Sequence, residues 1–160
     1  MRRRAWLALL LWLAAGGELA AQQFRDWELL RLSEGGCLLA QQVLARQGQV
    51  NIASVYLSDL EAGSALLSVQ VPVGVSLADG IGYRYPDRPE VVPLIWQSCN
   101  RDTCLAQARL AGPELARLQA AREIRVGFVP VREARPLVFS LSLLGLGEGV
   151  RRLRDCGSGG

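Results

Sequence analysis

The chain has 160 residues and contains neither histidine nor lysine, so all 18 basic residues are arginine. These two absences exclude serine–histidine and cysteine–histidine nucleophile pairs, histidine metal ligands and lysine Schiff bases. The formal net charge of +3 is too small for the clustered basic surface that nucleic-acid binding requires, so no nucleic-acid partner is expected.

Residues 1–21 have the layout of a secretory signal peptide. Three arginines at positions 2–4 precede an apolar run at 5–15, and an alanine-rich segment follows. The run is shorter than the ~20 residues of a transmembrane helix, so we predict cleavage after Ala20 or, preferably, Ala21. Cleavage removes three arginines and one glutamate, which lowers the net charge from +3 to +1. We therefore expect a periplasmic protein, or a surface-associated or secreted one, with no transmembrane segment in the mature chain.

Residues 22–156 are predicted to form one β-rich domain, with a flexible tail at 157–160. Alternating apolar residues and regularly spaced turns favour an antiparallel sandwich or barrel over βαβ units. The segments with strand character are 24–32, 37–45, 50–58, 64–72, 91–98, 123–131 and 135–145, and a short strand is expected after the turn at 78–80.

Two segments depart from the strand pattern. Gly112 and Pro113 open a short segment that predicts a crossover helix, because proline is well tolerated at the first helical position. Residues 146–153 predict a final helical turn. Three arginines near that turn are expected to form a solvated helix end, with a patch for anionic lipid or polysaccharide as the alternative: Arg151, Arg152 and Arg154.

The aromatic residues are expected to serve mainly the core. Large aromatic side chains in strands are more often packed inside than used as ligand platforms. Most of the four that lie in predicted strands are therefore assigned to the core: Trp27, Trp96, Phe128 and Phe139. Tyr83 and Tyr85, which flank Arg84 beside a proline-rich loop, are better candidates for the surface, with loop packing as their expected role.

Four cysteines in an exported chain indicate two disulfides, for which three pairings exist. Proximity favours Cys99 with Cys104, because the four turn-forming residues between them suit a hairpin loop that sets the cysteines opposite each other. By elimination, Cys37 pairs with Cys156. In the chain-entropy account the short bridge stabilises the fold by about 2 kcal/mol and the long one by roughly 4 to 5 kcal/mol.

Zinc ligation and redox chemistry are the alternative uses of these cysteines. Zinc sites usually show two close pairs of ligands, whereas Cys37 and Cys156 are isolated in the sequence. A redox pair favours C-x-x-C spacing, and two further residues separate Cys99 from Cys104. We therefore predict structural disulfides, and no metal or cofactor.

Five segments match one family pattern in order along the chain. They are FRDWELL, CLLAQQV, VPVGVSLADGI, PLIWQSCNRDTCLAQARLAGPELARLQA and PLVFSLSLLGLGEGVRRL. They include an F-x-D-W opening, a P-x-G-V-x-L segment, a paired-cysteine stretch followed by a small helix, and a late S-L-x-G motif. On these residues the chain resembles the invasion-associated locus B (IalB) family of exported bacterial proteins.

The resemblance implies an immunoglobulin-like antiparallel β-sandwich with disulfides, in the periplasm or on the cell surface. Some family members are associated with host-cell invasion, and others occur in bacteria without that habit. The family supplies no catalytic residues. Many members carry a further cysteine near the position of Arg31, as the partner of the cysteine that matches Cys37. This chain lacks it, and the resemblance implies that Cys156 takes its place.

Two functions remain open. The first is a non-enzymatic envelope module that binds an envelope or host protein, a glycan or a lipid through its loops or a sheet edge. The second is a carboxylate-dependent enzyme acting on envelope glycans, which needs two carboxylates about 5 to 10 Å apart in a cleft. The first is preferred, because solvated acidic residues are common at turns and the carboxylates at hand lie mostly there: Asp59, Glu61, Asp79, Asp87, Glu90 and Asp102.

Overall fold

The computed structural model describes most of the chain after the predicted signal peptide. The described residues are 21–45, 48, 50–59, 63–131 and 135–157, and for Asp59 the backbone alone is described. The predicted signal peptide up to position 20 and the end of the predicted tail, 158–160, lie outside them, and so does Glu61.

The described residues fold into a sheet with two helices as minor elements. The strands are β1 (Gln22–Phe24), β2 (Trp27–Arg31), β3 (Cys37–Leu44), β4 (Asn51–Asp59), β5 (Ala65–Pro72), β6 (Ile81–Arg84), β7 (Val92–Cys99), β8 (Thr103–Leu110), β9 (Glu123–Phe128) and β10 (Leu137–Ser142). The helices are α1 (Gly112–Ala120), between β8 and β9, and α2 (Leu146–Gly157), after β10. The prediction of an all-β fold is confirmed.

The sheet is antiparallel throughout and continuous, in the order β1-β2-β3-β4-β5-β8-β7-β6-β9-β10. Strand β7 joins two parts, since its start pairs with β6 and its end pairs with β8. We call β1 to β5 with β8 the large half, and β6, β9 and β10 the small half. Pairing with β6 ends at Leu94 and pairing with β8 begins at Ile95, and the register of the second pair shifts between Trp96 and Ser98.

Two elements differ from the sequence prediction. The segment expected as one strand at 24–32 is a tight hairpin, in which Phe24 opposes Trp27 and Arg25 takes a positive φ of 56°. The expected final helical turn is a helix of 12 residues that extends to Gly157, within the predicted tail. Its buried residues Leu146 and Val150 pack into the core.

The hairpin between β1 and β2 packs against the segment that leads into α2. The Trp27 indole Nε1 donates to the carbonyl oxygen of Ser142 at 3.1 Å, and the Ser142 hydroxyl donates to the Asp26 carboxylate. Gly145 has a φ of +89°, and a Cβ there would lie 1.9 Å from the Phe24 carbonyl oxygen. Only glycine fits at this contact, which joins the F-x-D-W segment to the S-L-x-G segment in this chain.

The core lies against the concave face of the sheet and includes the predicted aromatic residues. Trp27, Phe128 and Phe139 are buried, whereas Trp96 is half-buried and packs at the edge of the core. Among the described residues, the Trp96 indole Nε1 is a buried side-chain polar atom without a hydrogen-bond partner. Glycine allows α2 to come close to β3, because a Cβ on Gly149 would lie 2.9 Å from the Leu39 side chain.

Candidate functional site

The cysteines form two disulfides, and their pairs are the ones expected from the sequence. Cys99 and Cys104 are directly opposed at the end of the β7–β8 hairpin, with a Cα–Cα distance of 4.0 Å. The loop between them is ordered by Asn100, whose side-chain oxygen accepts from the backbone N–H groups of Asp102 and Thr103 at 2.8 Å each. This bridge fixes a hairpin by joining the exposed Cys99 to the buried Cys104, which indicates a structural role.

The second bridge ties the end of α2 to the start of β3. Cys37 bonds to Cys156 at a Cα–Cα distance of 6.1 Å and a sequence separation of 119. Arg31 on β2 is the cross-strand partner of Cys37, and its guanidinium Nη1 lies 3.9 Å from the Cys156 sulfur. Position 31 is thus where a cysteine would face Cys37 in relatives that carry one, and α2 supplies the partner here instead.

The described carboxylates expected for catalysis are all exposed and lie in three loops, one of which holds two of them. Asp79 precedes β6, Asp87 and Glu90 lie in the loop before β7, and Asp102 lies in the loop after β7. The length of β7, about 25 Å at ~3.3 Å per residue, separates the last from the two before it. Within the described part of the chain, none of these four has an ion pair. Asp59 ends β4 without a described side chain.

The two tyrosines expected at the surface are buried, which corrects the sequence interpretation. Tyr83 and Tyr85 are 1% and 6% exposed, and both hydroxyls donate to the Glu114 carboxylate of α1, at 2.7 and 2.8 Å. Arg117, one turn later, pairs with the same carboxylate at 3.3 Å and lies over the Tyr85 ring. The cluster fastens α1 to the small half.

Burial and the hydrogen bonds to Glu114 raise the pKa of both tyrosines well above the ordinary value of 10.0. Burial is the larger cause, since it disfavours the charged phenolate, and the nearby carboxylate adds to it. Neutral phenols that donate to one carboxylate suit a structural link. No local pattern predicts this link, because Glu114 is distant in the chain and reaches the tyrosines only when the crossover helix packs against them.

The outer face of the small half carries an apolar groove of about 500 Å³. Its floor is made of two glycines that are cross-strand partners, Gly82 on β6 and Gly127 on β9. The neighbouring strands raise its walls, with Pro93 opposite Gly82 on one side and Val138 opposite Gly127 on the other. Val91 leans over the floor, since a Cβ on Gly82 would lie 2.5 Å from its Cγ1 atom. Val91 and Val138 are 61% and 53% exposed.

Two arginines stand at one end of this groove. Arg84 and Arg125 are cross-strand partners, both are exposed, and both line the groove. Neither has an ion pair with any residue that the structure describes. Like charges placed directly opposite each other destabilise a sheet, so this arrangement costs the free protein stability. At the far end lies the exposed Asp79.

The outer face of the large half has a different character. Uncharged polar side chains cross it and hydrogen-bond to one another: Tyr56 donates to Gln70 at 3.5 Å, Gln70 to Thr103 at 2.7 Å, and Gln107 to Ser68 at 3.0 Å. This ladder satisfies many of its own donors and acceptors. A wider groove of about 620 Å³ lies beside it, lined by both polar and apolar residues.

The described residues offer neither a cluster of metal ligands nor a membrane-spanning helix. The described residues contain no group of three or more acidic or cysteine side chains placed to hold a metal ion. No helix in the part of the chain that the structure covers is long and apolar enough to span a bilayer. The three arginines expected at a helix end lie exposed on α2: Arg151, Arg152 and Arg154.

Known proteins similar to this chain share its fold and one family description. A family model described as "Invasion associated locus B (IalB) protein" matches residues 29–154. Two Brucella abortus proteins named "Invasion protein B homolog", from strain 2308 and biovar 1 strain 9-941, are each 22% identical over 145 residues, covering 89% of this chain and 83% of theirs. The crystal structure of invasion associated protein b from Bartonella henselae aligns with a TM-score of 0.76 at 14% identity, covering 85% of this chain and 96% of that chain.

Proposed function

The chain belongs to the invasion associated locus B family, and from that premise we propose that it is an exported, non-enzymatic binding module of the bacterial envelope. Two disulfides support export, because such bonds persist in oxidising compartments. The described part begins its first strand at Gln22, directly after the preferred cleavage position. A periplasmic or surface location is part of the proposal.

The observation that carries this proposal is the small-half groove. Its floor and walls are apolar, and large side chains on its rim are more than half exposed, Val91 at 61% and Val138 at 53%. Concave surfaces lined mainly by apolar side chains, with a few charged groups at their edge, are the usual form of a ligand site. Glycines in strand interiors weaken a sheet and often mark close approach by a ligand. We therefore assign binding to this groove.

A carboxylate-dependent envelope enzyme is less well supported. Such an enzyme needs an acid of raised pKa and a second carboxylate on opposite sides of a bound substrate. The described carboxylates expected for that role are exposed on loops, including Asp87 and Glu90, which share one loop. The two groups with strongly raised pKa are Tyr83 and Tyr85, and their hydroxyls are occupied by Glu114.

Host-cell contact is a narrower form of the proposed function. The Brucella and Bartonella proteins carry invasion in their names, and this chain has the family fold. A contribution to host-cell interaction would use the same groove. Comparing host-cell entry of a strain that lacks this protein with that of its parent tests the narrower form, and unchanged entry would contradict it.

Photo-crosslinking in living cells tests the binding proposal. A crosslinking amino acid at Val138, on the groove wall, is expected to capture a defined envelope component. The same amino acid at Leu32, which is 48% exposed and lies outside the groove, is the matched control. Equal products from both positions, or none from Val138, would contradict the assignment of the groove as the binding surface.

A further inference from the structure

We propose that the small-half groove binds a lipid with an anionic head group. The acyl chain lies over Gly127, between Val91 and Val138, and the head group sits between Arg84 and Arg125. This inference deepens the proposed function and rests on it, because it names the ligand class of the same groove.

The shape of the groove suits a thin, flexible apolar chain. Outward positions alternate along a strand, so Gly82 and Arg84 follow one another on the outer face of β6, and Gly80 lies just before the strand. Four residues of strand give this line a length of about 13 Å. Val91 overhangs Gly82, which makes the passage narrow on that side. Val91 already covers Gly82, whereas Gly127 presents backbone alone, so a chain of methylene groups can approach the floor closely at Gly127.

The paired arginines supply the charge complementarity. Guanidinium groups bind phosphate through two parallel hydrogen bonds, and two of them facing one anion would both be satisfied. In the free protein their repulsion is not offset by a salt bridge within the described residues. An anion at this position removes that cost, whereas a neutral head group does not. Asp79 lies at the opposite end of the groove, in the turn that precedes β6.

Because its two ends carry opposite charge, the groove matches an amphiphile better than a purely apolar ligand. Positive charge stands at one end and negative charge at the other, with apolar walls between them. An amphiphile with one anionic end matches this order when its head lies at Arg84 and Arg125. Membrane phospholipids of that charge are available to an envelope protein, so we commit to a lipid as the occupant.

Titration with monomeric short-chain lipids tests the inference on the purified, oxidised protein. The probes are dihexanoyl phosphatidylglycerol, which is anionic, dihexanoyl phosphatidylcholine, which is zwitterionic, and inorganic phosphate. The readouts are the NMR amide shifts of Gly82 and Gly127 and the dissociation constants. We expect phosphatidylglycerol to bind about tenfold more tightly than phosphatidylcholine, and phosphate alone to leave both glycine amides unshifted.

Three variants locate the two parts of the ligand. The double change Arg84→Gln with Arg125→Gln is expected to abolish the preference for phosphatidylglycerol. Arg109→Gln, an exposed arginine of β8 on the large half, should keep it. Gly127→Ala places a methyl group on the floor and should weaken both lipids, and its cost to folding is low because a Cβ there meets Val138 at 3.4 Å, an ordinary van der Waals distance. Thermal unfolding checks that each variant is folded.

The outcomes separate this inference from the function on which it rests. Equal affinity for both lipids, or a preference that survives the double arginine change, overturns the anionic head group. Phosphate that binds as tightly as phosphatidylglycerol also overturns it, because the acyl chain then contributes nothing. Lipids that leave Gly82 and Gly127 unshifted, while Val138 still crosslinks a protein or a second copy of this chain, refute the lipid and leave the binding groove standing. Loss of both results refutes the two proposals together.

Discussion

The two outer faces of this sheet differ in how their side chains are satisfied. On the large half, Tyr56, Gln70 and Thr103 form a hydrogen-bonded chain across the strands. On the small half, glycines replace side chains, the walls are apolar, and two arginines oppose each other without a described ion pair. The large half completes its own surface, whereas the small half leaves apolar area and charge open to a ligand.

The inner faces differ as well, in how each is closed. Helix α2 covers the large half and is bonded to β3 through Cys37 and Cys156. The small half is fastened to α1 by hydrogen bonds from Tyr83 and Tyr85 to Glu114. One half is therefore held by a covalent bond and the other by a polar cluster, and the two closures should respond differently to reduction and to pH.

The largest effect is expected from removing the covalent closure. Changing Cys37 and Cys156 to serine should lower the free energy of unfolding by about 4 to 5 kcal/mol, because the bond closes a long loop of the unfolded chain. The same change at Cys99 and Cys104 should cost about 2 kcal/mol, since that loop is short. Urea unfolding of both variants measures the difference. Equal losses would show that loop length does not determine how much each disulfide stabilises the protein.

Glycine at position 145 allows the large half to close against its own N-terminal hairpin. Gly145→Ala should cost more than about 3 kcal/mol, since backbone strain at positive φ is joined by a collision with the Phe24 carbonyl. Gly35→Ala is the matched control, with a φ of +92° and nothing within 4 Å of the new Cβ. It should cost about 1 to 2 kcal/mol. Similar losses in urea unfolding would mean that the collision is relieved.

The polar closure of the small half should weaken in alkali. Folding raises the pKa of Tyr83 and Tyr85, so their protons stay bound in the folded state at a pH where the unfolded chain has lost them. Their contribution is fully present below pH 10, and above it the free energy of unfolding falls by about 1.4 kcal/mol per pH unit for each tyrosine. No lysine titrates in this range, because the chain has none.

Tyr83→Phe is therefore expected to halve this alkaline slope and to cost about 1 kcal/mol at pH 7, where one hydrogen bond to Glu114 is lost. Urea unfolding at pH 7, 10 and 11 measures both values. Combining it with Tyr85→Phe should remove most of the slope. An unchanged slope in the double variant would show that these two tyrosines do not cause the loss of stability in alkali.

The smallest effect is expected on the outer face of the small half, where a substitution should raise the free energy of unfolding and not lower it. Arg84→Gln should raise the free energy of unfolding by a few tenths of a kcal/mol at low salt, because it removes the repulsion with Arg125. The gain should vanish at high salt, which screens exposed charges. Arg109→Gln, whose cross-strand partner is Leu66, should show no such gain. A stability loss at Arg84 would contradict the proposed repulsion.

Much of the strand order along the chain was predictable from local pattern. Strands β3 and β10 were expected within a few residues of their bounds, because their side chains alternate between core and solvent. The cysteine hairpin followed from spacing and turn chemistry. The hairpin at Arg25 was missed, since its positive φ falls on a residue that does not usually signal a turn.

Other features depended on contacts between distant parts of the chain. Two glycines lower the helix propensity of α2, yet Gly149 is needed there for the close approach to Leu39. Tyr83 can be buried because Glu114 on α1 accepts the hydrogen bond that its hydroxyl donates. Gly82 faces Gly127 only because β6 and β9 become neighbours in the sheet. No local periodicity carries that pairing, so the groove could not be predicted.

The bond between Cys37 and Cys156 joins residues 119 positions apart, close to both ends of the folded domain. It turns this part of the chain into a covalent ring. A protease that cuts any one loop between the two cysteines opens the ring and leaves a single molecule, since its pieces remain connected through the sulfur atoms. Such a nicked protein would run as one band on a non-reducing gel and as two after reduction. One cut by a protease would therefore leave the domain in one piece.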